Sequence, residues 1–75
     1  MNRCNDWKGL LERANEDLDK HGYSLLIVEP EEGFYNCEIC LNGRDENEVY
    51  AENYYEDELY NLIMDVWHDI KLTLV

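Results

Sequence analysis

Tyr23-Ser24-Leu25-Leu26-Ile27-Val28-Glu29-Pro30-Glu31-Glu32-Gly33-Phe34-Tyr35-Asn36-Cys37-Glu38-Ile39-Cys40-Leu41 reads as two strands joined by a tight turn. Leu25 to Val28 is apolar on both faces, which predicts a strand over Tyr23–Glu29 that is central in its sheet or well covered. Pro30 presets φ and Gly33 tolerates the positive φ of a bulged hairpin loop, so Pro30–Gly33 is the expected turn. The second strand, Phe34–Leu41, alternates. Tyr35, Cys37, Ile39 and Leu41 point one way, the face expected to meet helices, and Phe34, Asn36, Glu38 and Cys40 the other.

Upstream of this hairpin, Trp7, Leu10, Leu11, Ala14 and Leu18 recur at spacings of three and four, one apolar helical stripe. Asn2 or Asn5 is the expected cap. Gly22 suits the left-handed position that ends a helix, and His21 falls in the last turn, where a cation favours the helix dipole. Downstream, Asn42-Gly43 opens a turn continued by Arg44-Asp45-Glu46-Asn47. A short third strand, Glu48–Glu52, is predicted with Val49 and Ala51 inward and Glu48, Tyr50 and Glu52 outward, a charged row that blunts a sheet edge. Asn53 with Glu56 three residues on is a capping-box pattern, so the last helix is expected from Tyr54 to Leu72. Its buried stripe is Tyr55, Leu59, Leu62, Ile63, Val66 and Ile70, with Trp67 at the margin. The expected fold is a single α+β domain over residues 1–75: N-terminal helix, three-stranded antiparallel meander, C-terminal helix packed on one face of the sheet.

Composition bounds the function. A 75-residue chain has a thin core and little room for a deep catalytic cleft. Its 45% hydrophobic content argues against disorder despite a net charge of −12. The charge is lopsided: residues 21–75 hold thirteen acids and only Arg44 and Lys71 as bases. Nucleic-acid binding needs a basic footprint, so direct contact with DNA, RNA or an anionic membrane is not expected. No run reaches the roughly 20 apolar residues of a membrane span. Cys4, Cys37 and Cys40 are an odd number behind an opening with no apolar leader core, so free thiols in a reducing cytoplasm are expected.

Candidate chemistry is sparse. Cys37-x-x-Cys40 resembles half a zinc site, with Cys4, His21 and His68 as distant complements. An offset of three along a strand, however, puts the two thiols on opposite faces, which favours a core role for Cys37 and a half-exposed Cys40. His68 lies beside Asp65 and Asp69, yet no donor-rich loop accompanies it. The Asn42–Glu48 loop lacks the calcium-loop pattern, so its acids are read as solvated. No catalytic residue, metal or cofactor is therefore assigned, and no enzymatic activity is expected.

The stretch 45–58 stands apart. Asp45, Glu46, Glu48, Glu52, Glu56, Asp57 and Glu58 are interleaved with Tyr50, Tyr54 and Tyr55, without one base. Tyrosines of this kind favour protein interfaces. Alternate strand residues lie about 6.7 Å apart and helix neighbours at i, i+4 about 6 Å apart. DNA phosphates have a comparable pitch, roughly 3.4 Å of rise per nucleotide along each strand. Carboxylates so spaced can form charge-assisted bonds with the lysines and arginines of a DNA-binding groove.

On this layout, and best on Glu48-Val49-Tyr50-Ala51-Glu52-Asn53-Tyr54-Tyr55-Glu56-Asp57-Glu58-Leu59-Tyr60, the chain resembles the small acidic inhibitors of phages and mobile elements. These include DNA-mimicking anti-CRISPR and anti-restriction proteins. The resemblance implies a non-enzymatic inhibitor whose partner is a basic nucleic-acid-binding surface of a host protein, such as a CRISPR effector nuclease. The alternative is a small interaction or assembly module that forms a homodimer through Tyr50, Tyr60 or the second face of strand one, Leu26 and Val28.

Overall fold

The computed structural model describes residues 6–41 and 47–74, arranged as α1 (Trp7–Asp19), β1 (Tyr23–Glu31), β2 (Phe34–Leu41), β3 (Asn47–Tyr54) and α2 (Leu59–Thr73). The three strands form one antiparallel sheet in the order β1-β2-β3, with the helices on one face, an α+β architecture. No helix is long and apolar enough to cross a membrane among the described residues.

Asn2 and Asn5, the expected caps, lie outside the described residues. The cap of α1 is Asp6, whose Oδ1 accepts from the Gly9 backbone N–H at 3.3 Å. A Cβ on Gly9 would lie 3.0 Å from Asp6 Oδ2, so glycine leaves this carboxylate its room. Trp7, Leu10, Ala14 and Leu18 are buried, as their spacing requires, and Gly22 closes the turn after the helix with φ +87°.

The hairpin departs from the alternation at one place. Strand β1 continues through Glu31, which pairs with Phe34, so the turn narrows to Glu32-Gly33, with Gly33 at φ +88°. The register shifts between Val28 and Glu31, and Pro30 sits in that irregularity, where its missing N–H leaves no ladder bond unmade. Nor is β1 central. It is an edge strand, and Leu26 on its uncovered face is 41% exposed. What replaces a neighbouring strand is Asn15 of α1. Its Oδ1 accepts from Leu25 N–H at 2.6 Å, and its Nδ2 donates to Leu25 C=O at 3.0 Å. One side-chain amide thus satisfies both outward backbone groups of an edge residue.

On β2 the alternation holds. Cys37 is fully buried, and Tyr35 and Ile39 pack against the core from the same face. Cys40 pairs with Ser24 and Asn47 on the other face, so the two thiols are separated by the sheet.

Strand β3 breaks the expected parity. It carries two irregularities, one opposite Tyr35–Cys37 and one opposite Cys37–Glu38. Because Cys37 pairs with Ala51 and Glu38 with Val49, Tyr50 is an extra residue, a β-bulge. Val49, expected inward, therefore lies beside Glu38 on the uncovered face and is 50% exposed. Tyr50, expected outward, instead reaches the helix side, where its hydroxyl donates to Asp69 Oδ2 at 2.9 Å.

The start of the last helix also moves. Asn53 is not its cap but a strand residue at φ +70°, with its N–H donating to Asn36 Oδ1 at 3.2 Å. The cap falls at Tyr55, whose N–H donates to Glu58 Oε1 at 2.7 Å across a 3-10 turn, Glu56–Glu58, and α2 follows from Leu59. Leu59, Leu62, Ile63, Val66 and Ile70 are buried as expected. Tyr55 is not: it is 56% exposed and leans on Phe34, ring centroids 4.8 Å apart. Tyr60 packs partly buried against the core.

Two polar ties hold the helices in place. Trp67 Nε1 and Lys71 Nζ both donate to Asp17 Oδ2 at 2.8 Å, joining α2 to α1. Trp7 Nε1 donates to Glu56 Oε2 at 3.3 Å and its ring meets Tyr35 edge-on, fixing the start of α1 to the turn before α2.

Candidate functional site: an acidic seam between the edge strand and the last helix

Asn61, Asp65, Asp69 and Leu72 recur at spacings of three and four, which puts them on one face of α2, and Glu58 precedes them in the 3-10 turn. Strand β3 runs beside that face, and two hollows mark the seam. The first, about 280 Å³, is lined by Tyr54, Asp57, Glu58, Asn61, Leu62 and Asp65. The second, about 570 Å³, lies further along, between Tyr50 and Glu48 on the strand and Asp69, Ile70 and Leu72 on the helix. Tyr23, Ile39, Leu41 and Thr73 complete its lining. The chain reverses between β3 and α2, so the strand descends from Tyr54 to Tyr50 as the helix advances from Leu62 to Asp69.

The ten residues singled out in the sequence divide among different places. Asp45 and Glu46 lie outside the described residues. Glu48, Tyr50, Tyr54, Asp57 and Glu58 come together along the seam. Glu52 is exposed on β3 but lines neither hollow. Tyr55 and Glu56 are turned away, toward Phe34 and Trp7 respectively. Asp65 and Asp69 belong to the seam although the sequence drew attention to them only as neighbours of His68. Their seven- and eleven-residue offsets from Glu58 were the available signal.

Among the described residues no lysine or arginine lines either hollow. The Tyr50 hydroxyl is pushed above its ordinary range, first by donating to Asp69 and then by partial burial, so it stays a donor across physiological pH. His68 lies on the other flank of α2, with Asp17, Met64, Trp67 and Lys71, and makes no hydrogen bond among the described residues. Burial pushes the Cys37 thiol up to about 11, with Glu38 adding to the effect, so it is a poor nucleophile. Among the described residues no group of three histidines, cysteines or carboxylates is placed to hold a metal ion. Such a seam offers charge, hydrogen-bond acceptors and aromatic contact.

Comparison with protein families, with curated proteins and with solved structures gives no match.

Proposed function

We propose that this protein is a non-enzymatic inhibitor that docks its acidic side onto a basic nucleic-acid-binding surface of a host protein, a CRISPR effector nuclease being one such target. One observation carries this. All seven acids between residues 47 and 74 are exposed, and the only lysine or arginine among them, Lys71, is bonded to Asp17 of α1. A surface of one sign steers a partner of the opposite sign and accelerates encounter, an effect that salt weakens.

The test is capture of nucleic-acid enzymes from a bacterial lysate on the immobilised protein, with elution by salt and by duplex DNA. A single enzyme released by both supports the proposal. Glu52→Lys combined with Asp57→Lys should abolish that capture while circular dichroism stays unchanged, since neither side chain makes a hydrogen bond among the described residues. Capture that survives the double reversal sinks it.

A second function, homodimer assembly, has one observation in its favour. Leu26 and Val49 are 41% and 50% exposed on the uncovered sheet face. Glu38 pairs with both and stands between them, so a self-contact there would bring like charges together. Sedimentation separates the two: a salt-insensitive dimer supports assembly, a monomer the acidic side.

A further inference from the structure

The larger hollow differs from the rest of the acidic side in being apolar inside. Its walls are Tyr23, Ile39, Leu41, Tyr50, Ile70 and Leu72. Leu41, Tyr50 and Leu72 are 39%, 45% and 60% exposed, a concentration of uncovered apolar surface on a chain whose other seam residues are mostly polar. Its volume of about 570 Å³ falls within the range of ligand pockets. A phosphate-like surface has no use for it, because phosphate mimicry needs charge and spacing alone.

Glu48 on the strand wall and Asp69 on the helix wall also line this hollow. Asp69 holds the Tyr50 hydroxyl through one oxygen, and Glu48 has no bonded partner among the described residues. An apolar group entering here strips water from both carboxylates, which costs free energy unless a cation accompanies it. The occupant must therefore bring an apolar side chain and positive charge together. A second copy of this chain does not fit. A two-fold contact would set the same acids against each other, and each chain carries a net charge of −12.

We infer that this hollow seats one leucine, methionine or aromatic side chain of the partner, on a segment with lysine or arginine to either side. The inference rests on the docking function proposed above and names the chemistry of the segment that docks. It makes recognition more than electrostatic. The acids draw the partner in, and the apolar anchor slows its release.

The test uses the full chain, labelled with nitrogen-15, and three synthetic peptides. One alternates arginine and glycine around a central leucine, a second has serine for that leucine, and a third has glutamine for each arginine. The leucine–arginine peptide should shift the amides of Ile39, Leu41, Ile70 and Leu72. At about 0.15 M salt, where surface charge is screened beyond about 8 Å, it should bind about tenfold tighter than the serine peptide. Leu72→Ser, at an exposed position that the fold tolerates, should erase this tenfold difference and leave the affinity of the serine peptide unchanged. Glu48→Gln, the second variant, should weaken the leucine–arginine peptide and leave the glutamine peptide as it was. Equal affinity of the leucine and serine peptides overturns the anchor and leaves the charge-driven function standing. If neither arginine peptide binds even at low salt, the docking function falls with it.

Discussion

Val49→Thr tests the bulge that re-aims β3. Threonine keeps the β-branched shape and strand preference of valine and replaces one methyl by a hydroxyl. If Val49 faced the helices, as simple alternation predicts, that hydroxyl would be buried without a partner at a cost of about 1–3 kcal/mol. The structure places Val49 beside Glu38 on the uncovered face, half exposed, where the hydroxyl reaches water. The expected change is then within about 0.5 kcal/mol. A domain this small unfolds in urea with a slope of about 1 kcal/mol per molar. The bulge therefore predicts a midpoint shift below about half a molar, and the unbulged strand a loss of roughly one to three molar. Fluorescence of Trp7 and Trp67 reports the transition, because both pack against the core. A midpoint lowered by about a molar or more would refute the bulge, and with it the placement of Tyr50 on the helix side.

Three further outcomes follow from the core and its ties. Leu18→Ala empties a fully buried position and should cost about 2–5 kcal/mol, against roughly 4–11 kcal/mol for a whole domain of this length; urea midpoints check it, and a loss under about 1 kcal/mol would contradict the packing. Asp17 titrates below its ordinary value of 3.8, chiefly because Lys71 and then Trp67 donate to it. A lowered folded value means that its contribution is whole above pH 3.8 and fades as pH falls through the lower folded value. Asp17→Asn should therefore differ from the parent protein at neutral pH and converge on it in acid, read from urea midpoints along a pH series; a gap that stays constant would exclude the tie. Cys40 should alkylate with iodoacetamide at mildly alkaline pH while Cys37, buried and shifted to about 11, stays unmodified until denaturant is added. Peptide mapping distinguishes them, and equal rates would place Cys37 at the surface.

The helices and the hairpin were legible because their signals are periodic. Trp7, Leu10, Ala14 and Leu18 can meet a sheet only from one side of a helix, and Cys37 can be buried only with Tyr35 and Ile39 beside it. What was not legible depends on single residues that break a period. A bulge adds one residue without altering composition, so nothing in Val49-Tyr50-Ala51 announces that Tyr50 and Ala51 both serve the helix side. Asn53 suits both a helix cap and a residue at positive φ, and only the pairing of Tyr54 with Tyr35 decides for the second. Asn15 falls outside the apolar stripe of α1, so periodicity says nothing of it, yet it completes the edge of β1. The seam suffered for the same reasons. Its strand wall depends on the bulge and its helix wall on Asp65 and Asp69, which lie beyond the run of acids that drew attention.

The seven acids of residues 47–74 are not equivalent, and the difference bears on function. Glu56 accepts from Trp7, Glu58 caps the turn before α2 and Asp69 holds Tyr50, so these three serve the fold. The Asp57 side chain makes no hydrogen bond among the described residues but stands just before α2, where the helix dipole favours a negative charge. Glu48, Glu52 and Asp65 have neither a bond among the described residues nor a helix start to stabilise. In a chain at −12 each adds repulsion to the folded state and offsets none of it. Solubility alone would be served by lysine at any of the three, which would also lower the repulsion. On the docking function proposed above, a basic partner's cations would neutralise all three, beside a seam that no lysine or arginine lines among the described residues.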